Sequence, residues 1–156
     1  MKIVGTGDAD GAPGGRVKTG LCEHRADGDF FPADLLDEVL RWAQRTHGVA
    51  IRVIGDPDFR VDGCEIEALP WRADTEVRDL AVLDIGLYPL PGTAWDLGKS
   101  GMKAIQYMAL GIPVIATPLG ATIELIEDGV NGLFAYSLES WQHKLAYLIG
   151  NPATRA

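Results

Sequence analysis

Short apolar runs separated by segments of helical period constrain what this chain can fold into. Residues 49–54, 84–87, 113–116 and 132–135 are rich in Val, Ile and Leu and too short for helices, and 64–69 alternates like a strand. Between them lie segments that repeat at three and four residues. The first, after residue 32, carries Leu35, Leu36, Val39, Leu40 and Ala43 on one face with Asp34, Asp37, Glu38, Arg41 and Arg45 between them. Residues 75–83 and 121–126 read as short helices, and 138–149 as a closing helix on Leu138, Trp141, Leu145, Leu148 and Ile149. Strands this short and apolar do not suit a sandwich with one wet face. The pattern predicts an α/β fold, Rossmann-like, with a parallel sheet covered by helices on both faces. In such sheets ligands bind beyond the carboxyl ends of the strands, which here means the loops at 88–101 and 117–121.

A chain of 156 residues has room for one such domain, and 47% hydrophobic residues give it a core. The expected division is an irregular Gly-rich segment at 1–29, with a weak strand near 16–21, and the α/β domain at 30–156. Gly5, Gly7 and Gly11 resemble a dinucleotide loop, but Ala12-Pro13-Gly14-Gly15 denies it the helix it must enter. A net charge of −8 argues against nucleic acid as partner, so any anion site must be local. Cys22 and Cys64 lie far apart without metal-ligand spacing and read as free thiols. With no apolar run long enough to span a membrane or serve as a signal, the expected location is the cytoplasm.

Residues 95–117 hold the chemistry. Lys99, Lys103 and Gln106 stand at i, i+4 and i+7, which would place them on one helix face, with Met102, Ile105, Met108 and Ala109 expected to pack. Gly98-Lys99-Ser100 resembles the end of a phosphate loop. That motif needs four residues after its first Gly; five follow Gly92, and Thr93 stands where the Gly should be. An NTP-hydrolysing loop is therefore disfavoured. Backbone amides of Gly98 to Gly101 at a helix start, beside Lys99, would still attract a diphosphate without a metal. The plainer alternative is two solvated lysines and Ser100 as a helix cap.

The segment Gly98-Lys99-Ser100-Gly101-Met102-Lys103-Ala104-Ile105-Gln106-Tyr107-Met108-Ala109-Leu110-Gly111-Ile112-Pro113-Val114 resembles the donor-binding segment of retaining, nucleotide-sugar-dependent glycosyltransferases of family 4, which have the GT-B fold. The likeness extends in order through residues 51–55 (IRVIG), Leu69-Pro70-Trp71, 84–90 (DIGLYPL), Pro118-Leu119-Gly120 with Glu124, 127–134 (EDGVNGLF), Ser140-Trp141, Asn151-Pro152 and Arg155. It covers roughly residues 49–156.

The resemblance implies a hexosyltransferase-like enzyme with a nucleotide-diphosphate sugar as substrate, and neither cofactor nor metal. Its donor-binding residues would be Gly98, Lys99, Ser100, Gly101, Lys103, Gln106 and Trp71, with Trp71 near the base unless it is a core anchor. Most family members carry an acidic pair seven residues apart here. Those places fall at Gly98 and Gln106, neither of which is an acid. Gln106 would hydrogen-bond a ribose hydroxyl as a neutral group, and the catalytic residue is not assigned. Arg16, Lys18 and Arg25 are candidates for further phosphate contacts. A GT-B enzyme also needs an N-terminal acceptor domain, for which this chain has no room. The implied picture is a truncated half, inactive alone and associated peripherally with a membrane through the missing domain. The competing readings are a non-catalytic nucleotide-sugar-binding or interaction module and, third, an NTPase.

Overall fold

The protein was analysed as a computed structural model, which describes residues 17–21 and 33–155. Six parallel strands form one sheet: β1 (Lys18–Leu21), β2 (Ala50–Ile54), β3 (Ile66–Leu69), β4 (Ile85–Tyr88), β5 (Val114–Ala116) and β6 (Leu133–Phe134). Their order is β3-β2-β1-β4-β5-β6, the doubly wound arrangement in which the chain runs outward from the centre in both directions. Helices separate every pair of consecutive strands except β2 and β3, which a loop joins, and each strand pairs in parallel through a crossover. Every residue of β4 is buried, as expected for a strand covered on both faces.

The central strand, β1, lies inside the segment that the sequence reading set apart at 1–29. Lys18↔Ala50 and Thr19↔Ile85 fix its register with both neighbours. It is the weak strand expected near 16–21, and its pairing on both sides makes it the centre of the sheet. The dinucleotide-like glycines at 5, 7 and 11, the thiol of Cys22, Arg16 and Arg25 lie outside the described residues.

Alternation along the strands splits the core. Ile85 and Leu87 of β4 and Ile115 of β5 face helices α1 (Ala33–His47) and α6 (Leu138–Gly150), which contribute Val39, Leu40, Trp141 and Leu145. Tyr88, Val114 and Ala116 face the other layer, made of α2 (Glu76–Ala81), α4 (Met102–Ala109) and α5 (Thr122–Leu125). A further short helix, α3 (Ala94–Leu97), precedes α4.

Helix α4 sits close on β4 because Gly86 has no side chain. A Cβ there would meet the Tyr107 ring at 2.5 Å. Tyr107 and Ala104 are the fully buried residues of α4, whereas Met102 is 54% and Ile105 39% exposed. Of the apolar residues expected to pack, Met102, Ile105, Met108 and Ala109, Met108 alone packs against the core, and the other three are exposed. The ring of Tyr107 over Gly86 sets the helix rotation, and the smaller Ala104 fits the narrow gap one turn earlier.

Candidate functional site

The loops after β4 and β5 are fastened together at the carboxyl end of the sheet. Leu90 N–H donates to Thr117 Oγ1 at 3.0 Å, and Thr122 Oγ1 accepts from Leu119 N–H at 2.9 Å while donating to Thr117 O at 2.7 Å. Gly120, at φ 56°, lets the second loop approach the Leu97 carbonyl, which a Cβ would meet at 3.2 Å. These contacts seat α3 and the start of α4 above β4 and β5.

Residues 93–97 were expected as loop and instead form α3 with its cap. Thr93 Oγ1 accepts from Asp96 N–H at 3.3 Å, and Asp96 Oδ2 accepts from Thr93 N–H at 2.8 Å and Gly92 N–H at 3.0 Å. Thr-x-x-Asp is a capping-box pattern, so the sequence did carry the signal. The consequence reaches the anion site. Gly98 N–H donates to Trp95 O and Lys99 N–H to Asp96 O, so both amides are spent on closing α3. Helix α4 starts later, at Gly101, and its first ladder bond runs from Ile105 N–H to Gly101 O. The open first turn is therefore that of Met102, Lys103 and Ala104 rather than Gly98 to Gly101.

Lys99 consequently lies outside the helix and does not share its face with Lys103 and Gln106. Its ammonium meets Asp96 Oδ1 at 3.0 Å, and the Asp96 side chain is 3% exposed. Burial works against the Asp96 charge, but hydrogen bonds from Thr93 and Lys99 outweigh it and hold the carboxyl below its ordinary range. Lys103 reaches across to α2, where its ammonium meets Glu76 Oε1 at 2.7 Å. Both lysines are thus held in place by an acid. Their ion pairs lower the local net charge, and an arriving anion would compete with those carboxylates.

Gly98, Lys99, Ser100 and Lys103 line one cleft of about 490 Å³ together with Tyr88, Ala94, Trp95 and Met102. Among the described residues no carboxylate lines it. Ser100 is exposed and Gly101, not Ser100, caps α4. Trp71, at the carboxyl end of β3, is 52% exposed and is not a core anchor. Its indole N–H donates to Glu76 Oε1 at 2.9 Å. Hydrogen bonds from Lys103, then from Trp71, hold the Glu76 carboxyl below its ordinary range against burial, with a further one from Gln106. Gln106 Oε1 is buried without a hydrogen-bond partner, so a ribose contact through it requires the amide to turn away from Glu76. Glu76 went unnoticed in the sequence because its partners stand five, 27 and 30 positions along the chain. Lys18 begins β1 and so stands at the amino end of the sheet, the wrong end for a phosphate contact here. Among the described residues no cluster of His, Cys, Asp and Glu could hold a metal ion, and no helix is long and apolar enough to cross a membrane.

The family model of glycosyl transferases group 1 matches residues 32–151. The chain belongs to that family. No curated protein sequence matches it. Solved structures share its fold at low identity. HepE from Anabaena, in complex with UDP and glucose, has a TM-score of 0.70 at 18% identity, over 90% of this chain and 40% of its own. TarM from S. aureus, in complex with Fondaparinux, alpha-GlcNAc-glycerol and UDP, has a TM-score of 0.67 at 16% identity, over 100% and 34%. The C-terminal domain of LpcC, a glycosyl transferase group 1 family protein from Francisella tularensis, has a TM-score of 0.65 at 22% identity, over 89% and 78%. The group 1 chain described here thus spans about 40% of HepE and a third of TarM. It has the Rossmann-like architecture of a GT-B C-terminal half.

Proposed function

We propose that this domain binds the nucleotide-diphosphate sugar of a retaining, metal-independent glycosyltransferase of family 4, as the donor half of a GT-B enzyme. The observation that carries the reading is the convergence of Lys99 and Lys103 on the first turn of α4, in a cleft that no carboxylate lines among the described residues, at the carboxyl ends of the strands. A diphosphate there gains from the amides and partial positive charge of the helix start and from two ammonium groups. The same groups would stabilise the charge that grows on the departing nucleoside diphosphate, and no metal is needed for that. The sugar would project toward Trp95, Gly98 and Ser100. An acceptor domain, supplied by the part of the GT-B relatives that this chain does not span, would close the cleft, could dock on a membrane, and would complete an activity absent from the isolated domain. The expected compartment is the cytoplasm.

A second reading has its own support. Neither Gly98 nor Gln106 supplies a carboxylate, and the acid nearest to Lys99, Asp96, is committed to capping α3. A module that binds the donor without turnover fits those facts.

Titration of the protein with UDP, GDP and ADP and with UDP-glucose, in EDTA and in Mg²⁺, separates the readings. Diphosphate binding that is unaffected by EDTA is expected. Lys99→Ala should weaken it by roughly 1–3 kcal/mol, the loss of one charge-assisted contact. Binding confined to triphosphates with Mg²⁺ would point to an NTPase instead, and absence of any nucleotide binding would leave only an interaction module.

A further inference from the structure

A second groove, of about 510 Å³, opens at the other end of the sheet from the nucleotide cleft. Ile112 and Pro113 lead into β5 and Gly132 into β6, and all three line the groove, which therefore sits at the amino ends of those strands beside α6. Its volume is that of a small-molecule site. Nothing in the nucleotide reading uses it.

The lining selects the kind of ligand. Lys144 and Arg155 bring positive charge, and among the described residues no Asp or Glu lines the groove, although the chain has 22 acids against 14 Lys and Arg. The charge favours an anion. Met108, Ile112, Pro113 and Leu148 present hydrocarbon, and Val130 and Tyr147, which also line the groove, stay 71% and 44% exposed. An anion with an apolar body would cover that surface.

Arg155 has donors to spare for it. The residue is only 9% exposed, and its Nη1 donates to Leu148 O and Ile149 O, both at 2.7 Å. Those bonds use both Nη1 protons. Nε is buried without a hydrogen-bond partner, and Asp84 acts on the guanidinium only through space, since Asp84 Oδ1 is buried without a partner as well. A buried N–H without an acceptor costs free energy that a ligand oxygen would return. With Nη1 occupied, the remaining edge of the fork is Nε and Nη2, whose parallel N–H bonds match the two oxygens of a carboxylate. Lys144 meets Asp128 Oδ2 at 3.7 Å, a long ion pair that leaves its ammonium able to turn to a ligand.

We propose that this groove is a second ligand site, for a carboxylic acid with an apolar chain, in which Arg155 and Lys144 hold the carboxylate and Met108, Ile112 and Val130 pack on the chain. The assignment does not depend on the nucleotide reading. The competing role for Arg155 is a plain cap on the carbonyls of α6, which calls for no ligand.

The test uses octanoate, with acetate as the head alone and octanol as the tail alone, followed in nitrogen–proton spectra of the whole labelled chain. Octanoate should shift the amides of Gly129 to Gly132 and Tyr147 and bind at least roughly tenfold more tightly than either control. Lys144→Gln should weaken octanoate roughly fivefold. Arg155→Lys keeps the charge but loses the fork, and should weaken it roughly tenfold. Because Arg155 also caps α6, melts accompany that variant, and Lys144→Gln carries the test if Arg155→Lys unfolds. UDP should bind Lys144→Gln as it binds the parent, since the two sites lie at opposite ends of the sheet. Octanoate that binds no better than octanol or acetate, that shifts amides elsewhere, or that binds Lys144→Gln at full strength would overturn the site. Displacement of octanoate from the groove by UDP would overturn it too, by making the groove a nucleotide site. A folded Arg155→Lys protein with undiminished octanoate binding would reduce Arg155 to the cap and overturn its part in the assignment.

Discussion

Replacing Gly86 by Ala tests how the sheet places the site. The added Cβ would lie 2.5 Å from two carbons of the Tyr107 ring and 2.8 Å from a third. Carbon atoms rest at about 3.5–4.0 Å, so the ring must retreat by roughly 1 Å. It has nowhere to turn, because Tyr107 is wholly buried and its hydroxyl lies 3.4 Å from the Gly20 carbonyl. The helix must therefore move with the ring. Overpacking of this kind costs roughly 1–3 kcal/mol, from which about 0.5–1 kcal/mol is recovered because Ala suits a strand better than Gly. A net loss centred on about 1 kcal/mol, and reaching about 2.5 kcal/mol, should appear in urea melts. Lys103 and Gln106 ride on the same helix, and a displacement of about 1 Å at a positioned group should weaken nucleotide binding tenfold or more. Tyr107→Ala makes room for the new methyl group, so the double variant should lose less than the sum of the two single losses, by about 1 kcal/mol. If Gly86→Ala stays within about 0.5 kcal/mol of the parent and binds nucleotide unchanged, the argument that Gly86 sets the position of α4 is wrong.

Two further outcomes follow from buried polar groups. Asp84 is fully buried at the head of β4, and burial raises its pKa to about 6, against the opposing Lys18 N–H at 2.7 Å and the nearby charge of Arg155. Its pKa is higher in the fold than in the unfolded chain, so its contribution to stability is complete below 3.8 and is lost as pH rises through 6. The gap of about 2.2 units corresponds to about 3 kcal/mol, so Asp84→Asn should gain up to that much relative to the parent between pH 3.5 and pH 8. Melts across that range check it, and a constant difference would refute it. Thr122→Val keeps the shape of a wholly buried side chain but leaves Leu119 N–H and Thr117 O without their partner. It should cost roughly 1–3 kcal/mol in denaturant melts and loosen the loop that seats α3.

The sheet was legible because short apolar strands and helix-period segments alternate, and α1, β2, β4, β5 and α6 fall where those patterns lie. Elements whose identity depends on partners were less legible. β1 was read as a weak strand, but its four residues have no period that marks it as the centre of the sheet, and α3 is a single turn recognisable only by its Thr-x-x-Asp cap. Within the site, spacing placed Lys103 and Gln106 together on α4 but wrongly drew Lys99 into the same helix. It assumed that helix starts at Gly98, whereas the closing of α3 uses the amides of Gly98 and Lys99 first. Of the α4 residues that spacing chose to pack, Met108 alone does so, because the buried face is decided by the fit of Tyr107 to Gly86 on another element. Glu76 lay beyond any local pattern, since what distinguishes it is the three side chains that the fold brings to one carboxylate.

The most direct test of the nucleotide site is a nitrogen–proton correlation spectrum of the labelled protein recorded while UDP is added in EDTA. The account predicts shifts concentrated on the amides of Ser100 to Ala104 and the indole N–H of Trp71. Shifts concentrated instead around His143, Tyr147 and Asn131, which line a groove of about 510 Å³ at the amino ends of β5 and β6, or no shifts at millimolar UDP, would contradict it.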